Sequence, residues 1–168
     1  MKKLLFLFPV VLLFASCSVS RLSEVEYNNQ IVTAVNETSA VIEKTANAYN
    51  ESIPEVVTEK TVIEIAPLRT AYNETISSLS TISTLSSLES RNEEQTNTAQ
   101  ELLSRYSASA SEYLNEYKAM LEYYEGGEYK NNVTMVSEID TILHDAYTTF
   151  IDANNKLVET LGNFVITE

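Results

Sequence analysis

The chain reads as all-α: an elongated antiparallel up-down helical bundle with four long helices. Three observations predict this. First, 168 residues hold only three glycines and three prolines, and one of the latter, Pro9, lies in the N-terminal apolar run. Sandwiches and barrels need many turns, and turns draw on Gly and Pro, so the connections here are few. Second, long stretches place apolar residues at alternating spacings of three and four, the stripe of an amphipathic helix. Third, the joints between these stretches are short, which makes successive helices antiparallel neighbours. Three helices plus an irregular 55–66 segment is the competing architecture.

The first helix is expected at 22–52, where Ile31, Val35, Thr38, Ile42, Thr45 and Tyr49 form one face. Pro54 follows and stops it, because proline has no N–H to continue the hydrogen-bond ladder. Residues 55–66 are β-branched and ambiguous, with Val56, Val57, Thr61, Val62, Ile63 and Ile65. Their context favours helix, with Pro67 as a kink or a fresh start and a strand as the competing reading. The second helix then continues to about residue 90. Its inner part places Ile76, Leu79, Ile82, Leu85 and Leu88 every third residue, with Ser or Thr between. A spacing of three lags a 3.6-residue turn by about 60° per step, so the greasy stripe winds around this helix.

A third helix is expected at 93–125, with Ser90 or Asn92 as its cap. Leu103, Tyr106, Ala110, Tyr113, Tyr117, Met120 and Tyr124 make its stripe, and Gly126-Gly127 its stop. The fourth runs from about 129 to 163 on Ile139, Leu143, Ala146, Phe150, Ala153, Leu157, Leu161 and Phe164. One six-residue echo, Ala48–Ile53 against Ala71–Ile76, does not extend, whereas repeat proteins sustain their period.

The N-terminus carries an address. Lys2 and Lys3 precede an apolar run, Leu4 to Leu13, followed by Phe14-Ala15-Ser16-Cys17. The run is shorter than the roughly 20 residues that span a bilayer. Charged start, greasy middle and small residues make a cleaved export signal. The cysteine after Ala15 and Ser16 resembles the lipobox of bacterial lipoproteins, with Phe14 where leucine is usual. The resemblance implies cleavage before Cys17 and a lipid such as palmitate on its sulfur. Residues 1–16 are then the signal peptide, 17–21 the lipidated start and short tether, and 22–168 a single bundle domain. Cys17 is the only cysteine. Lipidation would remove a thiol that is a liability in an exported chain, and no disulfide or thiolate metal site could follow. By the same resemblance, Ser18 after the lipid site favours an outer membrane over an inner one. The absence of an acid before Glu24 favours the periplasmic side over the cell surface.

The formal charge is −13. Loss of the two signal lysines leaves nine basic residues against 24 acidic ones, or −15. The acids are spread along the chain, so they form a solvated surface. That argues against nucleic acid and against lying flat on anionic lipid, both of which favour basic patches. Membrane contact is expected mainly through the lipid on Cys17.

Few residues offer chemistry. The single histidine, His144, shares a helical face with Asp140 and adjoins Asp145, and a carboxylate can orient an imidazole for general base work. Glycines are too few for a phosphate loop, no serine sits in a nucleophile elbow, and one histidine cannot furnish a di-metal bundle. Glu122, Glu125 and Glu128 gather near a turn without calcium-loop spacing, so neither metal nor cofactor is expected. Asn36, Asn50, Asn73 and Asn132 begin Asn-x-Ser/Thr triplets, which in a bacterial chain are accidents of composition. Tyrosines are the most suggestive group. Tyr106, Tyr113, Tyr117 and Tyr124 belong to the third stripe, whereas Tyr123 and Tyr129 fall off it and mark a possible binding patch beside Gly126-Gly127.

These features point to a non-catalytic, lipid-anchored envelope protein acting as a binding or structural helical bundle at the membrane or cell surface, with an envelope or surface protein or a glycan as its partner. Two alternatives stand beside it: an envelope enzyme or metal-dependent factor using His144 with nearby carboxylates, and a self-assembling surface protein whose stripes pair between chains.

Overall fold

The computed structural model describes residues 21–165. The expected signal peptide and Cys17 lie outside them. Four long α-helices follow in order: α1 Glu24–Ser52, α2 Ile65–Leu85, α3 Glu93–Glu125 and α4 Thr134–Val165. A single 3-10 turn, Glu128–Lys130, lies between α3 and α4. The longest helix, α3, has 33 residues, roughly 50 Å at 1.5 Å per residue.

Cross-helix contacts set the directions. Thr75 of α2 donates to the Val41 carbonyl of α1, and Ser78 pairs with Thr38, so α2 runs against α1. Arg69 and Glu125 pair at one end of α2 and α3, and Gln100 reaches the Ser86 carbonyl at the other. Tyr106 meets Phe150, and Tyr113 meets Tyr147, so α4 runs against α3. Ser39 donates to Asn154, which closes α4 against α1. The result is an up-down-up-down bundle in which α1 and α3 run parallel across the diagonal. Their stripes meet in the centre, where Tyr106 Oη lies 2.9 Å from Ser39 Oγ and Tyr113 Oη 2.8 Å from Thr45 Oγ1. No helix of the described residues is long and apolar enough to cross a membrane.

Two helices match expectation closely. Ser23 caps α1 in a capping box: its hydroxyl accepts from the Glu26 N–H, and the Glu26 carboxylate accepts from the Ser23 N–H. Those bonds hold the Glu26 carboxyl below its ordinary range. Asn92 caps α3 by accepting from the Gln95 N–H at 3.1 Å. All seven residues of the α3 stripe are buried. So are Ile31, Val35, Thr38, Ile42 and Thr45 of α1 and Leu143, Phe150, Leu157 and Leu161 of α4. A fully buried apolar side chain of this kind contributes about 1.5–3 kcal/mol.

Three expectations are corrected. Residues 53–64 are not helical. Ile53 turns extended after α1, Thr58 and Thr61 close a local turn, and Val57 and Ile63 bury themselves in the core. A β-branched run can plug the end of a bundle without forming a helix, because its apolar side chains find the core from an irregular backbone. Pro67 is therefore a fresh start, in the first turn of α2. That helix also stops at Leu85, short of residue 90. Beside its end, the hydroxyls of Ser80, Ser83, Thr84, Ser86 and Ser87 each donate to the carbonyl three residues back, competing with the helix ladder. Finally, α4 begins at Thr134 and not near 129. Gly127 adopts a left-handed φ of 71°, and the chain then makes the 3-10 turn before the helix can start.

The stripe of α2 leaves the core at its first member. Thr75 takes the inward position at 0 % exposure, and Ile76 is turned out at 47 %. Thr75 is tolerated inside because its hydroxyl donates to the Ala71 carbonyl at 2.9 Å.

A candidate cleft at the distal end

The bundle has two unlike ends. The proximal end holds the starts of α1 and α3 and the ends of α2 and α4. The distal end holds the 53–64 segment, the Gly126-Gly127 turn and the start of α4. It lies roughly 40 Å from the first residue of α1, by the length of that helix.

Distally, α1 and α4 both face a void. Between them lies a cleft of about 600 Å³, lined by Ile53, Val56, Val57, Val133 and Val136 and by the polar Asn50, Ser137 and Asp140. A second hollow of about 230 Å³ adjoins it and shares Tyr49, Asn50 and Asp140, with Tyr113, His144 and Tyr147 as further walls. The two form one groove, valine-lined at its mouth and tyrosine-lined along the helices. Among the described residues, no lysine or arginine lines either part.

The local electrostatics follow from burial and acids. Tyr49 is half-buried, and its hydroxyl faces Tyr124 and the Asp140 carboxylate; loss of water pushes its ionisation well above the usual range, and those neighbours push it further. Burial raises Tyr113 and Tyr147 in the same direction. All three tyrosine walls therefore remain neutral in ordinary conditions. Tyr124 is 3 % exposed, and its hydroxyl faces that of Tyr49 without closing a hydrogen bond of good geometry.

The residues singled out in the sequence fall as follows. Tyr106, Tyr113, Tyr117 and Tyr124 are core, as their spacing requires. Tyr129, expected in a surface patch, is 4 % exposed and donates from its hydroxyl to the Thr61 carbonyl at 2.9 Å. It pins the 53–64 segment to the turn, and its ring packs on Tyr124. Tyr123 is half-buried and donates to the Asn132 carbonyl at 2.7 Å. Both hydroxyls thus tie down the distal turn; Tyr129 is buried there, whereas Tyr123 also lines a separate hollow of about 240 Å³ with Met120, Met135 and Ile142. His144 and Asp140 are both exposed and line the same groove, with no hydrogen bond between them among the described residues. Asp145 is not among the lining residues of that groove. Glu122 pairs with Lys118, and Glu125 with Arg69. Among the described residues, no group of three His, Cys, Asp or Glu could hold a metal ion. Tyr49 and Tyr147 were not singled out as site residues. Tyr49 read as the last member of a core stripe, and only its place at the very end of that stripe hinted that it would face a cleft.

Fold and groove together define a class: an up-down four-helix bundle with an acidic, tyrosine-walled groove at one end. No family model, curated protein or solved structure matches the chain.

Proposed function

We propose that this chain is a non-catalytic, lipid-anchored protein of a bacterial envelope that holds a binding groove away from the membrane. The observation that carries this reading is the groove's position. It opens at the end of the bundle opposite the N-terminus, where Cys17 would carry the lipid. The four-helix frame acts as a spacer of roughly 40 Å. The acidic surface keeps the body off anionic lipid, and the anchor raises local concentration near envelope partners. Several acyl chains, or one chain plus a second contact, are needed for stable anchoring.

Metabolic labelling with a clickable fatty acid tests the anchor. The expected result is label on the native chain and none on Cys17→Ala. An unlabelled native chain overturns the anchored arm.

A second reading is favoured by one observation: His144 and Asp140 line the same groove. An enzyme using that pair would lose its cellular phenotype on His144→Ala with the fold intact. The binding reading expects His144→Gln, which keeps a polar wall in the groove but cannot act as a base, to retain the phenotype that deletion of the gene abolishes, whereas the enzyme reading expects it to lose that phenotype too.

A further inference from the structure

We propose that the distal groove binds an extended basic segment of a partner protein, with one lysine or arginine side chain entering the hollow between Tyr49, Asp140 and Tyr147. The proposal deepens the binding-arm reading and rests on it.

Two independent features meet there. The first is charge. Asp140 lines both parts of the groove, Glu55 lines its mouth, and Glu43 stands beside Tyr147. Among the described residues, none of the three carboxylates has an ion-pair partner. The walls bring no lysine or arginine of their own, so a ligand can supply the compensating charge. The second is aromatic surface. Tyrosine faces attract ammonium and guanidinium groups through the ring quadrupole, most strongly where water is partly excluded. Tyr49, Tyr113 and Tyr147 supply such faces on two sides of the hollow.

The adjoining valine cleft decides between sources of the cation. A free amine would fill only the smaller hollow. The larger cleft, with Val56 exposed at 74 % and Val133 at 42 %, presents apolar surface in line with it. A peptide with apolar residues flanking its basic one covers both. Its remaining basic residues would meet a body of net charge −13, which also speeds encounter.

The test uses the full chain in zwitterionic detergent and a fluorescent Val-Lys-Val-Lys-Val peptide, followed by anisotropy. The expected result is saturable binding that Asp140→Asn and Tyr147→Ala each weaken tenfold or more. Glu101→Gln, an exposed acid on α3 far from the groove, should leave it unchanged. Equal weakening by Glu101→Gln and Asp140→Asn would mean diffuse charge attraction and overturn the proposal. Butylamine binding as tightly as the peptide would make the site one for small amines and overturn it too. Unchanged binding by both groove variants, with their circular dichroism native, places the peptide elsewhere and overturns it as well.

Photocrosslinking in cells separates this failure from failure of the arm itself. A probe at Asn50 should give a partner adduct that Asp140→Asn removes. An adduct from a probe at Arg105 only would overturn the groove and leave the binding arm standing. No adduct from either position would overturn both.

Discussion

The proximal end of the bundle is closed by backbone, and the distal end by side chains. At the proximal end Leu22 pairs with the α2–α3 joint as a short parallel bridge: its N–H donates to Glu89 and its carbonyl accepts from Arg91. Buried Ser90 donates to Gln95, and Gln95 donates in turn to the Glu24 carbonyl at 3.2 Å. Arg21 and Glu89 pair over the outside. At the distal end α1 and α2 are joined by the 53–64 segment, which is held by Val57, Ile63 and the bond from Tyr129 to Thr61. Orphaned polar atoms occur at both ends: Tyr27 and Asn28 proximally, Tyr117 and Tyr124 toward the distal side. Polar satisfaction is thus not what separates the ends. The mode of closure is. Backbone pairing draws the helices together along a line, whereas a few apolar plugs leave the gap between α1 and α4 open for a ligand.

Alkaline pH should break the tyrosine-rich core of α3, and this is the largest expected effect. Tyr106 is fully buried, and burial raises its pKa from the ordinary 10 to about 12. Tyr113 and Tyr117, in the distal half of α3, are raised for the same reason. An unfolded tyrosine ionises near pH 10, and the folded one resists. Their contribution to stability is full below that pH and is lost as pH rises through the folded value, which for Tyr106 is about 12. Each tenfold change in an acid constant corresponds to about 1.4 kcal/mol. The measurement is tyrosinate absorbance against circular dichroism along an alkaline titration. Ionisation of the buried set together with loss of helix is expected, whereas ionisation without loss of helix would refute it.

The proximal latch is tested by Gln95→Ala. It removes the acceptor of the Ser90 hydroxyl and a donor to the Glu24 carbonyl in a site that is 0 % exposed at residue 95. Urea unfolding should show a loss of about 2–3 kcal/mol. A loss below the error of such a titration would mean the latch does not hold this end.

Ser23→Ala removes the hydroxyl half of the capping box and should cost about 1 kcal/mol. Thermal melts should register it as a drop of a few degrees. Glu26→Gln, which keeps one acceptor oxygen, should recover part of that stability when compared with Glu26→Ala.

Tyr124→Phe gives the smallest effect and the sharpest contrast with Gln95. Its hydroxyl is buried without a hydrogen bond of good geometry, so deleting it should leave stability unchanged or slightly raised. A cost above about 1 kcal/mol would show that the hydroxyl has a partner, by the ordinary net worth of one such bond.

Local periodicity alone determined much of this molecule. The bounds of α1 and α3, the core role of Tyr106, Tyr113, Tyr117 and Tyr124, the Asn92 cap and the glycine stop are each properties of one helix and its own residues. Position along an amphipathic face sets burial, whatever the partner. The 53–64 segment, the true start of α4 and the burial of Tyr129 required the tertiary structure. A β-branched run or a tyrosine beside a turn has no period of its own, and its fate depends on whether a gap in the bundle end receives it. The groove was the least legible feature. Tyr49, Asp140 and Tyr147 lie on α1 and α4, helices at opposite ends of the chain, and the void is lined by both. Sequence thus decided which faces turn inward, because that is local geometry. Tertiary structure decided where two inward faces fail to meet, because that depends on how helices distant in the chain are closed at their ends.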